Sequence, residues 1–143
     1  MKSLLQRTVT GLLVVAAIMA GILFGPYSFI AVFSILVFGT LYEFYNLINV
    51  SREVHINKIL HSLAGALLFV CVWLEASRLT SLWILLLYLS YVMAMFISRL
   101  YTRQDNPLRE LAYIILGQVY ISAPLALVNQ IAFHTLKYPL GEI

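Results

Sequence analysis

The stretch TVTGLLVVAAIMAGILFGPYSFIAVFSILVFGTLY, residues 8–42, runs for 35 residues without an Asp, Glu, Lys, Arg or His. As a single helix it would reach roughly 52 Å, at 1.5 Å per residue, against a hydrocarbon core of about 30 Å. One crossing cannot use that length. Gly25-Pro26 falls near its middle and reads as a turn. The run is therefore expected to be a helical hairpin with spans at about 8–24 and 28–48. An all-α, polytopic transmembrane bundle follows, because only helices and closed barrels satisfy their backbones in lipid.

The rest of the chain repeats the pattern. Charge-free segments at 59–74 (His61 excused), 79–98 and 111–133 predict spans at about 58–75, 80–99 and 107–133. That makes five spans in a single transmembrane domain, 1–143. Composition agrees: 62% of the 143 residues are hydrophobic and 10% are charged, where a soluble domain carries about a quarter charged residues. The third span is short, and Lys58 and His61 at its start are expected to snorkel to the interface. The fifth has a clear start, with Asn106 as N-cap and Pro107 at the first helical position. Pro124 in its middle predicts a kink. Lys2 and Arg7 followed by Leu12–Phe24 resemble a secretory leader. No clear A-x-A site precedes Gly25, so the span is read as retained.

Basic residues orient the bundle. With a cytoplasmic N-terminus, Lys2, Arg7, Arg52, Lys58, Arg99, Arg103 and Arg109 lie inside, against Arg78 and Lys137 outside. The net charge of +3 is thus topological. No basic stripe alternates with aromatics, and nucleic acid is not an expected partner.

The first acid of the chain is Glu43, in LYEFYNL, residues 41–47. Counted from Pro26, Arg7 and Glu43 reach the same depth of the hairpin, near the cytoplasmic interface. They are candidate ion partners, because a carboxylate at a bilayer edge is costly alone. The competing reading is a solvated acid within an aromatic belt of Tyr42, Phe44 and Tyr45. Ala17, Gly21 and Gly25, at four-residue spacing, let a second helix approach, either the second span or one outside this chain.

Chemistry-bearing patterns are sparse. Cys71 is a lone thiol in an apolar run, read as a small buried or lipid-facing residue. His55, His61 and His134 share no helical face with a carboxylate at metal-ligand spacing, and His61 is read as interfacial. The seven glycines form no phosphate loop. Glu75 and Arg78 are read as outer-loop charges. Arg99, Arg103, Asp105, Arg109 and Glu110 make the densest charged segment, which fits either phosphate binding or, as favoured here, topology. The fifth span is the most polar, with Gln118, Tyr120, Ser122, Asn129 and Gln130. Gln118, Ser122 and Asn129 fall near one face, as packing glue or a cavity lining.

RTVTGLLVVA (7–16), GPYSF (25–29) and LYEFYNL (41–47) arrive in an order and spacing that resemble the N-terminal region of phosphatidate cytidylyltransferases, the CDP-diacylglycerol synthases of bacterial membranes. LAYIILGQVYISAPLALV (111–128), with a Gly-x-x-Tyr in a span, is similar to that family's middle region. The sharpest part is Arg7-x-x-x-Gly11 with Glu43-Phe44-Tyr45. The resemblance implies a multi-pass enzyme of the bacterial cytoplasmic membrane that joins CTP to phosphatidic acid, releasing pyrophosphate. Mg²⁺ is implied for the complete enzyme. The family's later signature (a Ser, Lys-rich and Lys-Asp elements, His-Gly-Gly and Asp-Arg-x-Asp) is missing here. The chain is therefore expected to be the membrane half of such an enzyme, inactive and metal-free without the C-terminal catalytic half as partner. Arg7, Gly11 and Glu43 are structural candidates only; no catalytic or metal residue is assigned, and substrate-binding residues stay unknown. Homo-oligomerisation is left open. The alternative is a small non-enzymatic five-span scaffold or transporter subunit.

Overall fold

A computed structural model of the chain describes residues 2–52, 54–102 and 106–134. Among them there is no strand. Helix α1 is Lys2–Leu23, α2 Pro26–Arg52 and α3 Lys58–Ala76; a short 3₁₀ turn, Leu82–Ile84, leads into α4, Leu85–Tyr101. The last span is built from α5, Pro107–Gly117, a π-turn at Gln118–Ser122, and α6, Ala123–His134. Five stretches are long and apolar enough to cross a membrane: Leu4–Leu23, Pro26–Ser51, Lys58–Ala76, Leu82–Tyr101 and Pro107–Phe133. The expected five-span helical architecture is what the chain adopts.

Two compact units divide the chain, 1–36 and 37–143. In the first, α1 ends at Leu23 and the chain turns through Gly25, whose φ is +110°. Glycine alone takes that region without a steric penalty, which is why Gly25-Pro26 breaks the long apolar run. Pro26 then opens α2, and the Phe29 N–H donates to the Gly25 carbonyl at 3.0 Å. Gly21 is the close-approach point of the Ala/Gly stripe: a Cβ there would lie 3.1 Å from Val32 Cβ. Phe29 and Phe33 stack at 4.3 Å.

The second unit holds the larger core. α3 packs chiefly along α6 and also against α4. Val37, Leu41, Tyr45, Phe69 and Ile114 are wholly buried. Leu41 and Tyr45 are one turn apart, so both point the same way from α2. Each meets a glycine. A Cβ on Gly65 of α3 would overlap Leu41 and the Ser122 hydroxyl, and one on Gly117 would lie 2.5 Å from the Tyr45 hydroxyl. Close glycine contacts of this kind are how membrane helices gain packing without a hydrophobic driving force.

Short connections are pinned by side chains. Asn49 brackets Ile56, donating to its carbonyl at 2.8 Å and accepting from its N–H at 2.9 Å. Asn57 caps α3 by accepting from the Leu60 N–H at 3.2 Å. Asn106 occupies the N-cap of α5 and Pro107 the first turn, as the sequence predicts, but the Asn106 side chain makes no capping bond. Its carbonyl instead accepts from the N–H groups of Arg109 and Glu110.

Candidate functional site

The polar residues of the second unit gather around Gln118. Its Nε2 donates to the His61 carbonyl at 2.7 Å and to the Tyr45 hydroxyl at 3.3 Å. Its Oε1 accepts from the Tyr88 hydroxyl at 3.0 Å. The Tyr45 hydroxyl donates in turn to the Ile114 carbonyl at 3.0 Å. His61 Nδ1 and the Tyr91 hydroxyl share a hydrogen bond of 2.5 Å. One amide thus joins α2, α3 and α4 to the last span. Ser122 and Asn129 lie on the same buried face, as their spacing predicts, and Asn129 donates to the Phe69 carbonyl at 3.2 Å.

The helical ladder opens at this amide. At the π-turn the Ala123 N–H reaches back to the Gln118 carbonyl, five residues away. Pro124 has no N–H and cannot close the next bond of an α-ladder. The expected irregularity near Pro124 is therefore a π-turn just before it. Single π-turns recur at functional positions in helices.

A second cluster closes one end of the unit. Arg99 of α4 and Glu110 of α5 form an ion pair at 2.5 Å, both side chains largely buried. Glu110 also accepts the His55 N–H at 3.2 Å, tying the α2–α3 connection to the α4–α5 connection. Lys58 donates to Asn46 at 2.8 Å and lies over the Tyr42 ring at 4.8 Å.

Several sequence expectations are corrected. Tyr45 is a core anchor and not a belt residue, because its hydroxyl finds a carbonyl and an amide inside the unit. His61 does not snorkel: it is 2% exposed and bonded to Tyr91, which spares it contact with lipid. Glu75 lies within α3 and accepts from Gln130 of α6, so it is not a loop charge. Arg99 and Glu110 belong to helices and to each other. Cys71, by contrast, is free and buried, as its apolar run predicts. Arg103, Asp105 and Lys137 lie outside the described residues, as do the side chains of Lys2, Arg52 and His134.

The three structural candidates are placed as follows. Arg7 and Gly11 are exposed and share one face of α1 with Gln6, Thr10 and Val14, which together line an open groove of about 660 Å³. Glu43 is exposed on α2, in the other compact unit. None of the three joins the Gln118 network.

Among the described residues the donor set does not gather around a divalent metal. Among the described residues no three His, Cys, Asp or Glu side chains lie close enough to share an ion. Of the described carboxylates, Glu110 is held by Arg99, Glu75 is bonded to Gln130, and Glu43 is exposed on α2 away from both. Mg²⁺ needs carboxylate oxygens free to coordinate it.

These features define a class: a multi-pass helical membrane protein whose spans are fastened by a buried neutral polar network. The family follows from comparison. The model of the cytidylyltransferase family matches residues 5–140, and the chain belongs to that family. Its reaction class is nucleotidyl transfer. No curated protein and no solved structure matches the chain.

Proposed function

We propose that this chain is the N-terminal membrane region of a phosphatidate cytidylyltransferase of the bacterial cytoplasmic membrane. The reaction joins a phosphate oxygen of phosphatidic acid to the α-phosphorus of CTP. The bond from that phosphorus to the β-phosphate oxygen breaks, giving CDP-diacylglycerol and pyrophosphate. The observation that carries the reading is the family match across nearly the whole of a five-span chain. Alongside it, GPYSF and LYEFYNL stand at the spacing of the N-terminal family region.

Within that reading these residues build and hold the membrane scaffold. Glu75 and Glu110 are engaged in side-chain contacts, and Gln118 spends its amide on Tyr45, His61 and Tyr88. Adjacent phosphates need charge neutralisation, which the complete enzyme draws from divalent metal. The groups that hold that metal belong to polypeptide carrying the family's His-Gly-Gly and Asp-Arg elements.

The test is incorporation of labelled CTP into lipid by membranes holding this chain alone, the catalytic polypeptide of a family member alone, or both. Activity is expected only with both. Incorporation by the 143 residues alone overturns the assignment of catalysis elsewhere. No gain from adding this chain favours the second reading, a non-enzymatic scaffold.

A further inference from the structure

Arg7 stands where a charge needs an anion. The first span, Leu4–Leu23, has 20 residues, about 30 Å at 1.5 Å each, which matches the hydrocarbon core. Arg7 is one turn inside its N-terminal end, about 5 Å deep. From there an arginine snorkels, its stem along apolar surface and its guanidinium at the headgroups. A cation at that depth is costly without a partner. The compact unit 1–36 offers none: it holds no Asp or Glu, and the first acid of the chain is Glu43.

The surface around Arg7 is shaped for more than topology. Gln6, Arg7, Thr10, Gly11 and Val14 line one open groove. The threonine hydroxyls beside it are already engaged: Thr8 donates to the Leu4 carbonyl at 2.9 Å and Thr10 to the Gln6 carbonyl at 2.8 Å. The Gln6 amide and the Arg7 guanidinium are exposed, and among the described residues neither has a hydrogen-bond or ion-pair partner. A Cβ at Gly11 would meet no atom within 4 Å, so the groove stays open one turn below the guanidinium. Val14 lies a further turn toward the bilayer centre, on the same face. The groove is thus graded along the helix, with free donors at the interface and bare backbone and valine deeper in.

We propose that this groove binds one anionic phospholipid, its phosphate on Arg7 and Gln6 and an acyl chain laid over Gly11 and Val14. A guanidinium presents two parallel N–H donors to a phosphate. Lipid phosphates stand at the level to which Arg7 reaches. A free phosphate ion has no apolar part for the inner half of the groove, and a zwitterionic headgroup brings its own cation to compete with Arg7. The inference needs only the first span and does not rest on the catalytic reading.

The test is native mass spectrometry of the whole chain in neutral detergent, titrated with phosphatidylglycerol, phosphatidic acid, phosphatidylcholine or inorganic phosphate. One tightly held phosphatidylglycerol or phosphatidic acid is expected, with weaker phosphatidylcholine and no displacement by millimolar phosphate. Arg7→Gln is expected to weaken the anionic lipid about fivefold, the worth of one basic residue at a lipid surface. Gly11→Leu leaves the charge in place and fills the groove, and a comparable loss is expected. Arg109→Gln removes an exposed cation elsewhere and is expected to change binding less than twofold. Circular dichroism checks that each variant keeps its helices. Unchanged binding in Arg7→Gln or Gly11→Leu overturns the proposal, as does an equal loss in Arg109→Gln, which marks charge attraction without a site. Phosphatidylcholine held as tightly as phosphatidylglycerol, or lipid displaced by phosphate alone, also overturns it. So does tighter lipid binding in Glu43→Gln, which would show that Arg7 is spent on Glu43.

Discussion

Gly65 and Gly117 test the packing in different ways, because what a methyl group would strike differs. At Gly65 the neighbours are the end of Leu41 and the Ser122 hydroxyl, both of which can rotate. At Gly117 the neighbour is the Tyr45 ring, held in place by its bonds to Ile114 and Gln118. Overpacking costs about 1–3 kcal/mol where the surroundings cannot yield. Gly117→Ala is therefore expected to lower the thermal unfolding midpoint in detergent more than Gly65→Ala. Equal losses would mean that Tyr45 is not fixed. Gln118→Leu takes the acceptor from the Tyr88 hydroxyl and removes the amide's bonds to the Tyr45 hydroxyl and the His61 carbonyl at once, and an unpaired buried group costs about 1–3 kcal/mol. It should unfold at least as readily as Gly117→Ala. LYEFYNL stood out in the sequence for Glu43, yet the residues that organise the core are its neighbours Leu41 and Tyr45. The reason is physical. A span apolar all round gives no moment to say which face is buried, so Tyr45 reads equally well as belt or anchor.

At the level of elements, the last span shows where pattern ends and tertiary structure begins. Its start at Asn106-Pro107 is readable because proline is preorganised for the first helical turn, although Asn106 makes no side-chain cap. Its polar face was readable because Gln118, Ser122 and Asn129 share a side. The π-turn was not: proline predicts a break, while the extra residue begins at Gln118, whose amide reaches three other helices that the local sequence does not reveal. The Arg99–Glu110 pair was hidden for a related reason. Its members flank a connection dense in charge, where topology alone explains basic residues. Paired and buried, they do more than orient. Glu110→Gln leaves the Arg99 charge without its anion, and breaking a buried pair costs about 3–5 kcal/mol. The amide still accepts a hydrogen bond, so the loss should fall at the low end. Replacing both residues, Arg99→Met with Glu110→Leu, should recover much of it. Equilibrium unfolding in mixed detergent micelles measures all three variants. A double variant no better than Glu110→Gln would show that the pair matters for more than mutual neutralisation.

For the whole molecule the open quantity is orientation. Five spans put the two ends of the helical region on opposite faces of the bilayer, whichever way it inserts. The basic residues then choose. Seven of nine fall on the N-terminal side and two on the other, and the rule counts Lys and Arg near span ends rather than net charge. Arg99 keeps its vote although Glu110 neutralises it in the folded bundle, because insertion precedes that packing. The N-terminus is accordingly expected in the cytoplasm. A reporter active only outside the cytoplasm, fused after Phe133, should be active, and the same reporter fused within the 54–57 connection should be silent. A stronger check changes the charges. Arg52, Arg103 and Arg109 carry the inside bias of two connections, and replacing all three with Ala leaves Lys2, Arg7, Lys58 and Arg99 against Arg78 and Lys137. Four against two still favours the same orientation, so inversion should be partial at most. Adding two lysines to the 77–81 connection of that variant removes the bias and should yield both orientations. A reporter pattern that ignores these changes would mean that packing, not charge, sets the topology.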